Sequence, residues 1–450
     1  MSDSKEMIQS ESDHNYFVIL DYILIFAGLA ILLFVSPHSI FGDGALRFKA
    51  LSQLLAEGTI SKTGYSMFGP IFSTPLWFLG KFIKSPAWWC SLYNFFVFSV
   101  GLFIIYRICR KKVDAELLRK FILILVFASM FPFHQSAYYG EVFTAILVGV
   151  GILAINYGHP SWGWASIVLG VVNTPASIVG LGFVVLAKLL QSKKWRYVLI
   201  LLAAVGLICA ESWLRRGSPF NSGYDGNAGF TTMLPYSGRP GFSYPIFFGI
   251  ISILFSFGKG LVWFCPGLLF PIRKSMPKID KGLYESYKLW IFFLIGLILI
   301  YSKWWSWYGG WFWGPRFFLF ASVPASFALA TYLCAKNKSI MLNIFTLLAL
   351  SLSCWVAISG LVFNQSTLGI CLAYKYALES LCWYLPEFSV IFRPFVVSKP
   401  LSSAGLIIII FNVTVFIYLA MPVFYQLGKQ LIAKAKEFKI MYFSYDKWKF

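Results

Sequence analysis

Charge is scarce in this 450-residue chain: Asp, Glu, Lys and Arg make up 12% of it, about half the share usual in soluble domains. Acids are scarcer than bases, 18 against 38. The four histidines (His14, His38, His134, His159) are scattered. Without a His-Glu-x-x-His pattern or comparable cluster, no metal site is indicated, although a divalent cation stays possible. The eight cysteines show no Cys-x-x-Cys spacing, so neither a zinc ribbon nor a dithiol redox pair is expected. No P-loop or Gly-x-Gly-x-x-Gly occurs, which excludes the common modes of nucleotide binding. The first apolar run has no basic flank or small-residue cleavage site and is expected to remain as a span.

Hydrophobic residues are plentiful, at 58%, and aromatics reach 19%. Many apolar runs approach or exceed the roughly 20 residues that a helix needs to cross a bilayer. They are continuous rather than alternating, so the expected fold is an all-α, polytopic helical membrane bundle. About ten spans are expected, at 16–35, 87–106, 121–137, 141–157, 197–213, 246–270, 289–301, 317–335, 339–362 and 403–425. Residues 164–187 cannot be one span without placing Lys188, Lys193, Lys194 and Arg196 outside. Asn173-Thr174-Pro175 interrupts that run near its middle. Proline removes a donor and disfavours helix before it, so two half-helices that enter and return are expected. This arrangement puts 24 of the 38 lysines and arginines in the cytoplasm and 13 outside, with Lys259 inside a span. That bias explains the formal charge of +20 without nucleic acid, and it places both termini in the cytoplasm. The chain is read as a module 1–335 followed by a C-terminal part, 336–450, with an external loop 363–402 and a basic tail.

The first external loop, 36–86, contains an acid between two glycines, Phe41-Gly42-Asp43-Gly44, ahead of a helical pattern ending at Gly58. Leu46, Ala50, Leu51, Leu54 and Leu55 fall on one face, with Arg47, Lys49, Ser52, Gln53 and Glu57 opposite. Such a helix lies in the membrane interface and holds Asp43 at the surface. Asp43 reads either as a cap for that helix or as a general base whose pKa a partly desolvated site raises. The proline-broken segment 68–84 reads as a second interfacial stretch.

Glu141, in Tyr139-Gly140-Glu141, opens a span at its outer mouth. It is either a helix-start acid favoured by the macrodipole or part of a site. Between Tyr301 and Arg316 five tryptophans fall within ten residues, interleaved with Gly309-Gly310 and Gly314-Pro315. Interfacial anchoring accounts for many such rings, but the glycines and proline imply a shaped loop, in which Tyr308 and Trp311 are candidate stacking residues. Arg316 then stands at the outer start of a helix, as a snorkelling anchor or as a bidentate phosphate ligand. Lys259, in Gly258-Lys259-Gly260, is a cation within an apolar run and requires water, a partner or a phosphate. Lys303 and His134, both on the outer side, are further candidate contacts. Cys371 and Cys382 share the last external loop and can pair on an oxidising side. The same loop holds a sequon, Asn364-Gln365-Ser366.

These features together resemble the GT-C superfamily, integral-membrane glycosyltransferases that use polyprenyl-phosphate sugars. The resemblance covers roughly residues 16–335. It rests on Asp43 followed by an interfacial helix, on Tyr139-Gly140-Glu141 with a helix broken at Asn173-Thr174-Pro175, and on Gly258-Lys259-Gly260-Leu261 with the Trp/Gly-rich step to Arg316. It implies that Asp43 is the catalytic base, that Arg316 and Lys259 bind phosphate, and that aromatic rings of 304–313 stack on sugar or prenyl chain. The implied partners are a polyprenyl-phosphate-linked sugar, the lipid bilayer and an acceptor of unspecified kind. The implied location is a bacterial inner membrane rather than the endoplasmic reticulum. Two departures stand out: the first loop has no second acid near Asp43, and Asn173-Thr174-Pro175 occupies a step where many relatives carry arginine. A transporter or lipid flippase would also account for Lys259 and the broken helix.

Overall fold

The computed structural model describes residues 2–224, 226–272, 280–364, 366 and 368–446. Part of the basic stretch 271–288, the sequon's Gln365 and the last four residues of the basic tail lie outside the described residues. The order of long helices is α1 (Ser2–Phe34), α2 (Asp43–Glu57), α3 (Tyr93–Cys109), α4 (Ala115–Phe127), α5 (Gly140–Asn156), α6 (Pro160–Asn173), α7 (Ile178–Ser192), α8 (Arg196–Arg216), α9 (Ile246–Phe255), α10 (Lys281–Lys303), α11 (Ser322–Cys334), α12 (Ile340–Ile358) and α13 (Ser403–Asp446). Among the described residues the only β-type pairings are two isolated bridges.

Local chemistry sets the helix ends. The side chains of Asp114, Asp280 and Ser339 accept from backbone amides in the first turns of α4, α10 and α12, satisfying donors that have no intrahelical partner. Among the described residues seven helical segments are long and apolar enough to cross a membrane, and three shorter apolar helices, α3, α5 and α9, join them. Leu199 and Leu202 on α8 and Leu406, Ile410 and Ile417 on α13 are exposed. Apolar surface on that scale suits lipid rather than water, and the chain is a multi-pass membrane protein. The interior is aromatic, with Phe127, Phe131, Trp290, Phe293 and Phe327 fully buried.

The broken pair is α6 and α7, and it enters and returns as expected. Its break is not at mid-depth, however. Asn173 donates to the carbonyl of Gly140 (2.7 Å) and to Thr144 (3.0 Å), level with the start of α5. Lys188 on α7 donates to Asn156, the last residue of α5, at 2.8 Å. Each arm therefore runs close to the full length of α5. The fourteen residues of α6 span about 21 Å, and close packing makes this short helix an adequate partner. A Cβ on Gly151 would lie 2.6 Å from the carbonyl of Gly163. A hydropathy run cannot reveal this depth, because it depends on which neighbour the break packs against.

At one end of the bundle Arg119 pairs with Asp21 at 2.7 Å and Tyr418 donates to the same carboxylate at 2.8 Å, tying α4, α1 and α13 together. The opposite end carries α2, the start of α5, the α6–α7 turn and the aromatic loop before α11, and the candidate residues gather there.

Candidate active site

The site begins with the backbone of α2. Its N-cap is Gly42, at φ 53°, and no side chain caps the helix. The expectation that Asp43 caps α2 is therefore corrected: Asp43 is the first helical residue. Its carboxylate turns across the mouth of the bundle to Arg316, with Oδ2 2.6 Å from Nη2. A second acid, Glu141 in the first turn of α5, approaches the other side of the guanidinium at 3.8 Å.

Arg316 is buried and packed among rings, 4.3 Å from the centroid of Phe312, 5.0 Å from Phe317 and 5.5 Å from Tyr139. Its Nε and Nη1 have no hydrogen-bond partner among the described residues. The loop before it holds its shape through Gly309, Gly310 and Gly314, all at φ between 65° and 78°, backbone that a residue with a Cβ adopts only under strain. Lys259 fastens that loop. Its ammonium donates to the carbonyls of Phe312 (2.6 Å), Gly314 (3.0 Å) and Gly310 (3.3 Å), which uses all three donors of a lysine. The partner Lys259 requires is thus the loop backbone.

Burial alone would raise the Asp43 pKa, but the Arg316 charge, hydrogen bonds from Tyr65 and Arg316, and the more distant Arg47 outweigh it. The carboxyl is held below the usual carboxylate range. The expected raised pKa is corrected, because the desolvating neighbours include a guanidinium.

Periodicity puts Arg47 on the polar face of α2, and the structure corrects this: Arg47 is buried, whereas Leu46 is exposed. Its Nη1 donates to the Ser66 carbonyl at 3.1 Å and lies 3.5 Å from Oδ1 of Asn173. Asn173 also accepts from the Gly69 amide at 3.0 Å. Gly140 makes room for this junction: a Cβ there would lie 2.8 Å from Arg47 Nη2. The segment 68–84 forms the helices Phe68–Ile71 and Thr74–Phe82 beside α2, and its Gly69 joins the same junction.

The remaining candidates fall farther out. Tyr308 is buried, stacked on Trp383 at 3.9 Å between centroids and hydrogen-bonded to Glu379. Trp311 is half-buried, and its indole N–H has no partner. His134 is buried between Phe133 and Trp313 with both ring nitrogens unpartnered. Lys303 is exposed at the end of α10, and no contact joins it to Arg316. Cys371 and Cys382 form a disulfide around Glu379. Sequence reasoning missed Tyr65, Tyr139, Arg47 and Glu379. Arg47 carried a signal, as a cation one helical turn from Asp43, and so did Tyr139, which stands in the Tyr139-Gly140-Glu141 motif. Among the described residues no three His, Cys, Asp or Glu side chains converge to hold a metal, and a guanidinium already lies between Asp43 and Glu141.

No protein-family model and no curated protein matches the chain. Two solved structures do, both of ArnT from Cupriavidus metallidurans. The apo structure aligns with a TM-score of 0.50 at 12% identity, covering 93% of this chain and 78% of ArnT. The structure with undecaprenyl phosphate bound gives 0.47 at 14%, covering 92% and 78%. The chain has the fold of ArnT. That likeness covers nearly the whole chain, beyond the 16–335 expected.

Proposed function

We propose that the chain is a membrane glycosyltransferase that moves a sugar from a polyprenyl-phosphate donor to an acceptor hydroxyl. The observation that carries this reading is Arg316, a buried guanidinium held between two carboxylates with two nitrogens uncommitted. The ArnT-like fold supports it, as does the undecaprenyl phosphate bound to ArnT itself. The excess of basic residues away from this end supports a periplasmic or luminal site and cytoplasmic termini.

In the reaction the bond from the anomeric carbon to the phosphate oxygen breaks, and its electron pair leaves with the lipid phosphate. The acceptor oxygen bonds to that carbon from the opposite face, inverting it, and its proton passes to Asp43. Arg316 meets the charge that develops on the departing phosphate, an interaction stronger in the transition state than in the ground state. Lys259 acts through Arg316, by holding the carbonyls of its loop. Glu141 keeps the guanidinium oriented when a phosphate draws it from Asp43. Because a cation already faces both carboxylates, no divalent ion is needed in this scheme.

The test is transfer of labelled sugar from a panel of polyprenyl phosphates, in membranes with equal amounts of wild type, Asp43→Asn or Arg316→Ala. Transfer by wild type and at least a hundredfold less by each variant is expected. Undiminished transfer by both variants would sink the assignment. Lipid or solute translocation without covalent change would favour a transporter instead.

A further inference from the structure

Tyr139 presents an unusual combination. It is buried, at 3% exposure, and its hydroxyl has no hydrogen-bond partner among the described residues. Its ring is well fixed, edge-on to Phe41 at 5.5 Å and to Phe312 at 5.1 Å. The Arg316 guanidinium stands 5.5 Å from the ring centroid, and a Cβ built on Gly42, the residue before Asp43, would lie 3.6 Å from the hydroxyl oxygen. The ring of Tyr139 is thus fixed beside the Arg316 guanidinium, with its hydroxyl next to Gly42 at the start of the helix that carries Asp43.

Buried polar groups nearly always find partners, and an unpaired one costs stability that a phenylalanine would not. Packing explains the ring of Tyr139 and leaves the oxygen unexplained. Arg316 is donor-only, and the Tyr139 hydroxyl adds a further buried, unpaired donor in its neighbourhood. Such donors fit a ligand rich in acceptor oxygens.

We propose that Tyr139 is a substrate-binding residue whose hydroxyl donates to a non-bridging oxygen of the lipid-borne phosphate that Arg316 binds. This rests on the glycosyltransferase reading and names a further contact within it. Tyr139 and Arg316 then hold two oxygens of the phosphate on the side facing Asp43. The hydroxyl also supplies discrimination between a phosphorylated lipid and its alcohol.

The experiment titrates purified wild type and Tyr139→Phe with undecaprenyl phosphate and, separately, with undecaprenol, following intrinsic tryptophan fluorescence, and measures thermal unfolding of both proteins. Wild type should prefer the phosphorylated lipid. Tyr139→Phe should bind it roughly 10- to 100-fold more weakly, as befits a lost hydrogen bond to a charged group, with undecaprenol binding unchanged. Its unfolding temperature should equal or exceed that of wild type, since the variant removes only an unpaired hydroxyl. Unchanged affinity for undecaprenyl phosphate overturns the proposal alone. A lowered unfolding temperature also overturns it, by showing the hydroxyl to be structural. A wild type that binds both lipids equally overturns the phosphate reading and this proposal together.

Discussion

Asp43 and Arg316 face each other at 2.6 Å, and that pairing governs how the carboxylate can act as a base. The guanidinium keeps Asp43 ionised and weakly basic while the site is free. In the proposed reaction a phosphate drawn to Arg316 would take up part of its positive charge and raise the pKa of Asp43 toward the range useful for proton transfer, so that donor binding would activate the base. In pH–rate profiles the acid limb of kcat should lie at higher pH than that of kcat/KM, because the first reports the complex and the second the free enzyme. Coincident limbs would count against this coupling. The stability effect has the opposite sense. A carboxylate with a depressed folded pKa stabilises above its unfolded value, about 3.9, and loses that contribution as pH falls through the lower folded value. Asp43 therefore adds nothing to pH dependence between 5 and 8, and its share of acid unfolding should vanish in Asp43→Asn.

The loop of residues 304–316 is the element on which the site depends. Its aromatic rings suit an interface, while its three left-handed glycines and the Lys259 ammonium give it one shape. Replacing Lys259 with methionine keeps the volume but leaves three carbonyls without their donor, at a cost on the order of 3 kcal/mol. Amide hydrogen exchange should then rise over residues 309–316, while α5, α6 and α7 stay protected. Unchanged exchange in that loop would show that Lys259 does not hold it. The other supporting element is the α6–α7 turn, where Asn173 bonds to Gly140, Thr144 and Gly69 and fixes the start of α5, and with it Glu141.

Across the whole molecule, the C-terminal part reaches the site through Glu379. The Cys371–Cys382 disulfide encloses this acid, which hydrogen-bonds Tyr308 and feels the charge of Lys259. Burial pushes its pKa up to about 7, with Lys259 and Tyr308 pulling the other way. The sign is that of a raised carboxylate: its contribution to stability is complete below the ordinary Glu value, about 4.3, and is lost as pH rises through about 7. The unfolding temperature of wild type should fall between about pH 4 and pH 7 relative to that of Glu379→Gln. Parallel profiles would mean that Glu379 does not titrate there. The acid is recognisable only in three dimensions, since on paper it is one polar residue in a variable loop.

The sequence by itself determined the helices and their membrane setting, because continuous apolar runs, basic connections and Gly/Pro breaks act locally. It also singled out Asp43, Glu141, Lys259 and Arg316, since an isolated charge beside an apolar run demands a partner. Only the tertiary structure decided what those partners are. Arg316 meets Asp43 and Glu141, whereas Lys259 meets backbone carbonyls. Arg47, which periodicity turns to solvent, is buried because the Ser66 carbonyl lies over it. Tyr139 emerges from its unpaired oxygen, a property that exists only once every neighbour is in place. Hydropathy and spacing describe how one segment meets its solvent, while partner choice depends on segments far apart in sequence, and their packing settles it.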